Sequence, residues 1–122
     1  MSEKKIVLVI DDDERHLLTA KEIIEDLGFR VELHNSPFRS TEKVYKLKPD
    51  LVLLDVNMPA LPGDQLCRIL RSEPDLRGVK IFLYSSNDEE ILRQSVEKYG
   101  ADGYLSKGDI RGLRLAIRRI LG

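Results

Sequence analysis

The chain has 122 residues, 42% hydrophobic and 34% charged, with a formal net charge of −1. That length suits one domain, 1–122, able to bury its own core without metal or disulfide staples. The near-neutral balance gives no global electrostatic case for nucleic acid or an anionic membrane, and no apolar run approaches the roughly 20 residues that span a bilayer.

The opening Met1-Ser2-Glu3-Lys4-Lys5 leads into a short apolar stretch ending in three aspartates, unlike a signal peptide. That stretch, Ile6-Val7-Leu8-Val9-Ile10, is continuous and rich in β-branched residues, as a strand covered on both faces requires. Asp11-Asp12-Asp13 follow, and Asp13 reads as the N-cap of a first helix. Leu17, Ala20, Ile24 and Leu27 share one face of that helix, which Gly28 stops. Arg30 to His34 alternates polar and apolar, as an edge strand does. Ser36-Pro37 reads as an N-cap with proline at the first helical position, with Phe38, Thr41 and Tyr45 turned inward.

Leu51-Val52-Leu53-Leu54 is a second apolar run and ends in Asp55. Met58-Pro59 and Pro62-Gly63 shape the loop after it. Leu66, Ile69 and Leu70 mark a third helix, with Cys67 half-buried on it. One cysteine cannot form an internal disulfide, which fits a reducing, cytoplasmic setting. Ile81-Phe82-Leu83-Tyr84 is the third apolar run and ends in Ser85-Ser86. Asn87-Asp88-Glu89-Glu90 opens a fourth helix with acids at its positive end, carried on by Leu92, Val96 and Tyr99. Ala101 to Leu105 is short and mixed, a second edge strand, and Lys107 follows it. Leu113, Ala116, Ile117, Ile120 and Leu121 mark the last helix. Its arginines 111, 114 and 118 form a stripe, read as a solvated face or a dock for a partner.

Strict alternation of strand and helix with short links implies an α/β fold, a doubly wound parallel sheet with right-handed crossovers. The three apolar strands belong in the middle and the two mixed ones outside, which the order 2-1-3-4-5 satisfies. Ligands in such sheets sit beyond the carboxyl ends of the strands. Asp11, Asp12 and Asp55 would then meet in one crevice, flanked by Ser85 and Lys107. Two like charges 4 Å apart repel by about 4 kcal/mol at an effective dielectric near 20, so three carboxylates call for a cation, raised pKa values, or both. Oxygen-only ligands favour Mg²⁺, and no thiolate or histidine set suits zinc. His16 and His34 look isolated and read as structural or solvated. A carboxylate nucleophile, Mg²⁺, a lysine and a hydroxyl suit phosphoryl transfer.

At these residues the sequence strongly resembles the receiver domain of two-component response regulators, a flavodoxin-like fold. Three strings carry the resemblance: Ile6 to Glu14, Pro49 to Pro59 with Gly63 beyond, and Gly100 to Lys107. The resemblance implies that Asp55 is phosphorylated by a sensor histidine kinase, a phosphotransfer protein or a small phosphodonor. Asp12 and Asp55 would bind Mg²⁺ directly, Asp11 through water, and the Asn57 backbone carbonyl would complete the protein ligands. Lys107 would pair with the phosphoryl group. Ser85 and Tyr104 would be the switch residues, altering the face made by helix 4, strand 5 and helix 5. Asn57 and Asn87 occupy positions that tune hydrolysis in the family. Such a domain assists its own phosphorylation and dephosphorylation and is not otherwise an enzyme. Its output would go to a downstream protein or to an output domain of a longer chain, with no direct nucleic-acid or membrane binding of its own.

The sequence departs from the family pattern at Gly108, where proline is usual, and at Ser86, where a small apolar residue is usual. The Gly108 departure motivates an alternative, a receiver-like interaction module that works without phosphorylation. A Mg²⁺ phosphohydrolase is a further reading, from the loose D-x-D echo in Asp55-Val56-Asn57, but no inserted cap is present to shape a substrate pocket.

Overall fold

The computed structural model describes residues 3–122; Met1 and Ser2, the first two residues of the leader reading, lie outside them. The strands are β1 (Ile6–Ile10), β2 (Arg30–His34), β3 (Leu51–Leu54), β4 (Lys80–Ser85) and β5 (Gly103–Ser106). The helices are α1 (Glu14–Asp26), α2 (Ser40–Leu47), α3 (Gly63–Arg71), α4 (Glu89–Tyr99) and α5 (Ile110–Leu121), and a single 3₁₀ turn spans Pro74–Leu76. All strand pairs are parallel, in the order β2-β1-β3-β4-β5. The expected architecture and strand order are both present.

Successive strand residues point to opposite faces, and each face carries its own core. Val7, Val9, Leu51 and Leu53 pack under α1 and α5 with Leu17, Ile24, Leu113 and Ile117. Leu8, Ile10, Val52, Leu54, Ile81 and Leu83 pack under α2, α3 and α4 with Val44, Leu66, Leu70 and Leu92. β1 and β3 are buried almost throughout, which explains their unbroken apolar sequence. At about 25 cal/mol per Å² of apolar area removed from water, these two layers supply most of the stabilisation.

α2 departs from expectation. It begins at Ser40, and its N-cap is Arg39 in the left-handed region at φ 63°, with no side-chain cap. Ser36 Oγ instead accepts from the Phe38 amide at 3.1 Å, and Ser40 Oγ donates to the Pro37 carbonyl at 2.7 Å. Ser-Pro therefore builds a turn here, a use it shares with helix starts. Two stripes of helical period exist in this segment, and the buried one is Ser40 and Val44 with Leu47. Phe38 and Tyr45 are exposed and Thr41 is half-buried, not turned inward.

On α3 the inward face is Leu66, Cys67 and Leu70, while Ile69 is exposed. Cys67 is fully buried rather than half-buried, and burial pushes its thiol up to about 11, so it packs as a small apolar residue. At the end of α3, Arg71 bonds the carbonyls of Gly100 and Val79 at 2.9 and 2.6 Å and the Asp102 carboxylate at 2.5 Å. Asp102 also accepts from the Ile81 amide at 2.8 Å, so one guanidinium ties α3 to the start of β4 and the approach to β5. In the arginine stripe of α5, Arg114 pairs with Asp26 of α1 at 2.8 Å, while Arg111 and Arg118 are exposed. No helix among the described residues is long and apolar enough to cross a membrane.

Candidate functional site

Strand register assembles the site. Ile10 of β1 pairs with Leu54 of β3, so the residues that follow them, Asp11 and Asp55, emerge side by side. The Asp55 amide donates to the Ile10 carbonyl at 2.9 Å and holds that level. Ser85 pairs with Ser106 across β4 and β5, and the Lys107 amide donates to the Ser85 carbonyl at 2.9 Å. Parallel strands of matched register thus deliver two acids, a hydroxyl and an amine to one rim. Asp13 caps α1 as expected, accepting from the Arg15 amide at 2.9 Å. The Arg15 guanidinium pairs with the same carboxylate at 2.9 Å and holds it well below the ordinary carboxylate range.

Lys107 is the electrostatic centre. Its Nζ lies 2.6 Å from Asp11 Oδ2 and 3.1 Å from Asp55 Oδ1, and the three side chains are almost wholly buried. The Tyr84 ring sits beneath it, 5.6 Å from Nζ to the ring centroid, within cation–π reach. The two buried acids differ. Asp11 has both oxygens engaged, since Oδ1 accepts from the Asp13 amide at 2.9 Å. Among the described residues no side chain but Lys107 donates to Asp55, so its second oxygen has no side-chain donor. Burial raises the Asp55 carboxyl above its ordinary value; Lys107 pulls it down, Asp11 pushes it up, and the net direction is upward.

The other half of the rim is neutral. Asn57 Nδ2 donates to Ser85 Oγ at 3.3 Å and to Asn87 Oδ1 at 3.0 Å. The Asn87 amide also donates to Ser85 Oγ, at 3.1 Å. Ser85 is fully buried and accepts both bonds, while Ser86 points to solvent. Tyr104 lies on β5 opposite Leu83 and is half-buried against the α2–α3–α4 core.

Two glycines shape the site. A side chain at Gly63 would overlap the Asp55 backbone carbonyl, so only glycine lets α3 start so close behind β3. Gly108 takes φ 86°, which proline, fixed near −65°, cannot adopt. The β5–α5 link is therefore a left-handed glycine turn, and it still leaves Lys107 between Asp11 and Asp55.

The sequence reading missed His16. It is neither isolated nor merely solvated: its Nδ1 lies 2.9 Å from Lys107 Nζ and 3.5 Å from Asp11 Oδ2. The available signal was its place in the first turn of a helix that starts at the rim. His34, by contrast, is structural, its Nε2 lying 2.7 Å from the Phe38 carbonyl oxygen.

One carboxylate oxygen from each of Asp11, Asp12 and Asp55 falls within 4.8 Å of the others. Asp12 is exposed and the other two are buried, so the cluster opens to solvent on one side. Three hard oxygen donors with an open side fit Mg²⁺, which keeps several of its waters.

The profile of the family described as "Response regulator receiver domain" matches residues 7–118. The chain is similar to Response regulator MprA of Mycobacterium leprae, 35% identical over 101 residues, covering 83% of this chain and 43% of that protein. It is similar to Protein RcaC of Microchaete diplosiphon, 31% identical over 112 residues, covering 92% of this chain but 17% of that protein. The chain thus spans less than half the length of these relatives. Its fold is similar to that of the chemotaxis protein CheY4 of Vibrio cholerae, with a TM-score of 0.88 and 23% identity over 97% of this chain and 99% of that one.

Proposed function

The chain belongs to the response regulator receiver domain family, and on that premise we propose that Asp55 is its phosphoacceptor and that the domain works as a phosphorylation-dependent switch. The observation that carries this reading is the buried Lys107 ammonium held between Asp11 and Asp55, with the Asp12 carboxylate alongside. Asp55 is read as the nucleophile because it directly follows β3, in the string that resembles the family's phosphoacceptor strand, with Lys107 Nζ 3.1 Å from its Oδ1. Asp11 has both oxygens engaged, and Asp12 has no lysine beside it.

In the transfer step an Asp55 oxygen attacks phosphorus. The bond to the donor breaks, and the leaving group departs with the electron pair. That donor is the phosphohistidine of a sensor histidine kinase or phosphotransfer protein, or a small acyl phosphate. Lys107 neutralises the phosphoryl oxygens, where positioning and charge stabilisation do most of the work. A bound Mg²⁺, held by Asp12 and Asp55, by Asp11 through water and by the Asn57 carbonyl, would supply the remaining positive charge. Ser85 then leaves Asn57 and Asn87 for the phosphoryl oxygen, and Tyr104 turns inward into the space behind it. The face of α4, β5 and α5 responds, biasing a two-state equilibrium read by a downstream protein or an attached output domain. Asn57 and Asn87, at the rim, tune hydrolysis of the acyl phosphate. The domain assists its own phosphorylation and dephosphorylation and turns over no other substrate, in a cytoplasmic setting. The observation behind a phosphorylation-independent role, Gly108, loses its force because Lys107 keeps its place.

Incubation with Mg²⁺ and acetyl phosphate should add one phosphoryl group by intact mass. Asp55→Asn should take up none. If the wild type neither gains the group nor binds beryllofluoride, the reading is wrong.

A further inference from the structure

Lys107 reaches its carboxylates across another strand. It follows β5, whereas Asp11 and Asp55 follow β1 and β3. In the order β2-β1-β3-β4-β5, β4 separates β5 from β3. Neighbouring strands lie about 4.8 Å apart, so the lysine stem has to cross the end of β4. Tyr84 of β4 is the residue beneath it. The ring is 5% exposed, pairs in register with Leu105, and lies with Leu105 in the core under α1 and α5. Lys107 Nζ stands over its face, 5.6 Å from the centroid.

The setting strengthens this contact. Among the described residues, Arg68 and Lys98 also face an aromatic ring, that of Tyr99, at 4.9 and 5.3 Å, but both cations are exposed. The Lys107 side chain is only 9% exposed, and a desolvated cation is held by a ring more strongly than an exposed one. The ring also differs from the carboxylates in what phosphorylation does to it. Once an acyl phosphate forms on Asp55, the charge of that carboxylate is spent and the donor it held passes to a phosphoryl oxygen. Asp11 would be shared with a bound Mg²⁺. Neither event alters Tyr84, whose attraction comes from the negative face of the ring and not from a lone pair aligned with one N–H.

We propose that Tyr84 is a positioning residue: its ring face supports the Lys107 ammonium beneath the phosphoryl group, in the state where the two carboxylates hold that ammonium least. This rests on the phosphoacceptor reading of Asp55.

The test weakens the ring face while nearly keeping its bulk. Fluorine withdraws electron density from the negative face and adds little volume. Tyr84 is replaced by phenylalanine and then by its mono-, di- and trifluoro derivatives, and beryllofluoride binding with Mg²⁺ is titrated for each. Tyr84→Phe keeps the face and should bind the mimic within about twofold of wild type. Affinity should then fall with each added fluorine, reaching about fivefold below Tyr84→Phe for the trifluoro ring. A role in packing alone leaves affinity level along the series, and a level series with normal wild-type binding overturns this inference and leaves the phosphoacceptor reading standing. A Tyr84→Phe variant as weak as the trifluoro ring also overturns it, since the hydroxyl and not the face would then matter. A wild type that binds no beryllofluoride overturns the phosphoacceptor reading and this inference with it.

Discussion

The two halves of the rim are held by different physics. On the β1–β3–β5 side, one ammonium is locked between two carboxylates that are each almost fully buried. On the β3–β4 side, a hydroxyl and two amides hold one another through neutral bonds of 3.0 to 3.3 Å. Unpairing a buried charge costs several kcal/mol. Exchanging a neutral hydrogen bond for another partner costs about 1 kcal/mol or less. The charged half is therefore suited to fix where chemistry happens, and the neutral half to rearrange once charge arrives. Sequence composition follows the same division: Asp and Lys on one side, Ser and Asn on the other.

The largest effect should come from taking away the ammonium. Lys107→Met leaves Asp11 and Asp55 facing each other without a counter-charge. A loss of about 2 kcal/mol is expected at neutral pH, below the usual 3–5 for a broken buried pair because carboxylates at a rim can take up a proton. Urea unfolding measures it. Adding Asp55→Asn to that variant should recover part of the loss, the non-additivity expected of groups in contact. A fully additive pair would mean that the charged half is not one unit.

Asp55→Asn alone should act in the opposite direction. The folded Asp55 carboxyl lies above its unfolded value, chiefly through burial and then through Asp11, against the pull of Lys107. A group raised in the folded state adds stability that is complete below the unfolded pKa and is lost as pH rises through the folded one. At neutral pH the ionised Asp55 is therefore a burden, and asparagine should raise Tm by a few degrees. The gain should shrink as pH falls through the carboxylate range and vanish below about pH 4. Thermal unfolding at several pH values reads this. A variant less stable than wild type at neutral pH would show that the Lys107 contact outweighs desolvation.

Asp55 was legible from sequence because it follows a strand whose apolar run announces itself. β1, β3 and β4 lie between two helix layers, so few polar residues interrupt them, and the first polar residue beyond marks the rim. Asp11, Asp55 and Ser85 follow from that rule once strand order is known; Lys107 does not, since it comes after Ser106 on the mixed edge strand β5, and the family-like string Gly100 to Lys107 is what marked it. His16 does not, because the turn of α1 that brings it back over Lys107 is a matter of helix phase. The buried stripe of α2 was ambiguous for a similar reason: Phe38, Thr41 and Tyr45 have as good a helical period as Ser40, Val44 and Leu47. Only packing against β1 and β3 separates them. Gly63 was legible as a loop residue, but its approach to the Asp55 carbonyl is a three-dimensional fact.

The smallest effect should come from the neutral half, and it is the sharpest check on the contrast. Ser85→Ala removes an oxygen that accepts from Asn57 Nδ2 and from the Asn87 amide. Asn57 keeps its bond to Asn87 Oδ1 at 3.0 Å, and Asn57 is exposed, so water can replace what it loses. The unpaired Asn87 amide is the main penalty. A loss of about 1 kcal/mol is expected, with little dependence on pH because no titrating group is in the triad. Urea unfolding of Ser85→Ala beside Lys107→Met compares the halves directly. If alanine at 85 cost as much as methionine at 107, the hydroxyl would be as firmly held as the ammonium. A residue so firmly held is a poor moving part, and the conformational step would then have to be sought elsewhere on the rim.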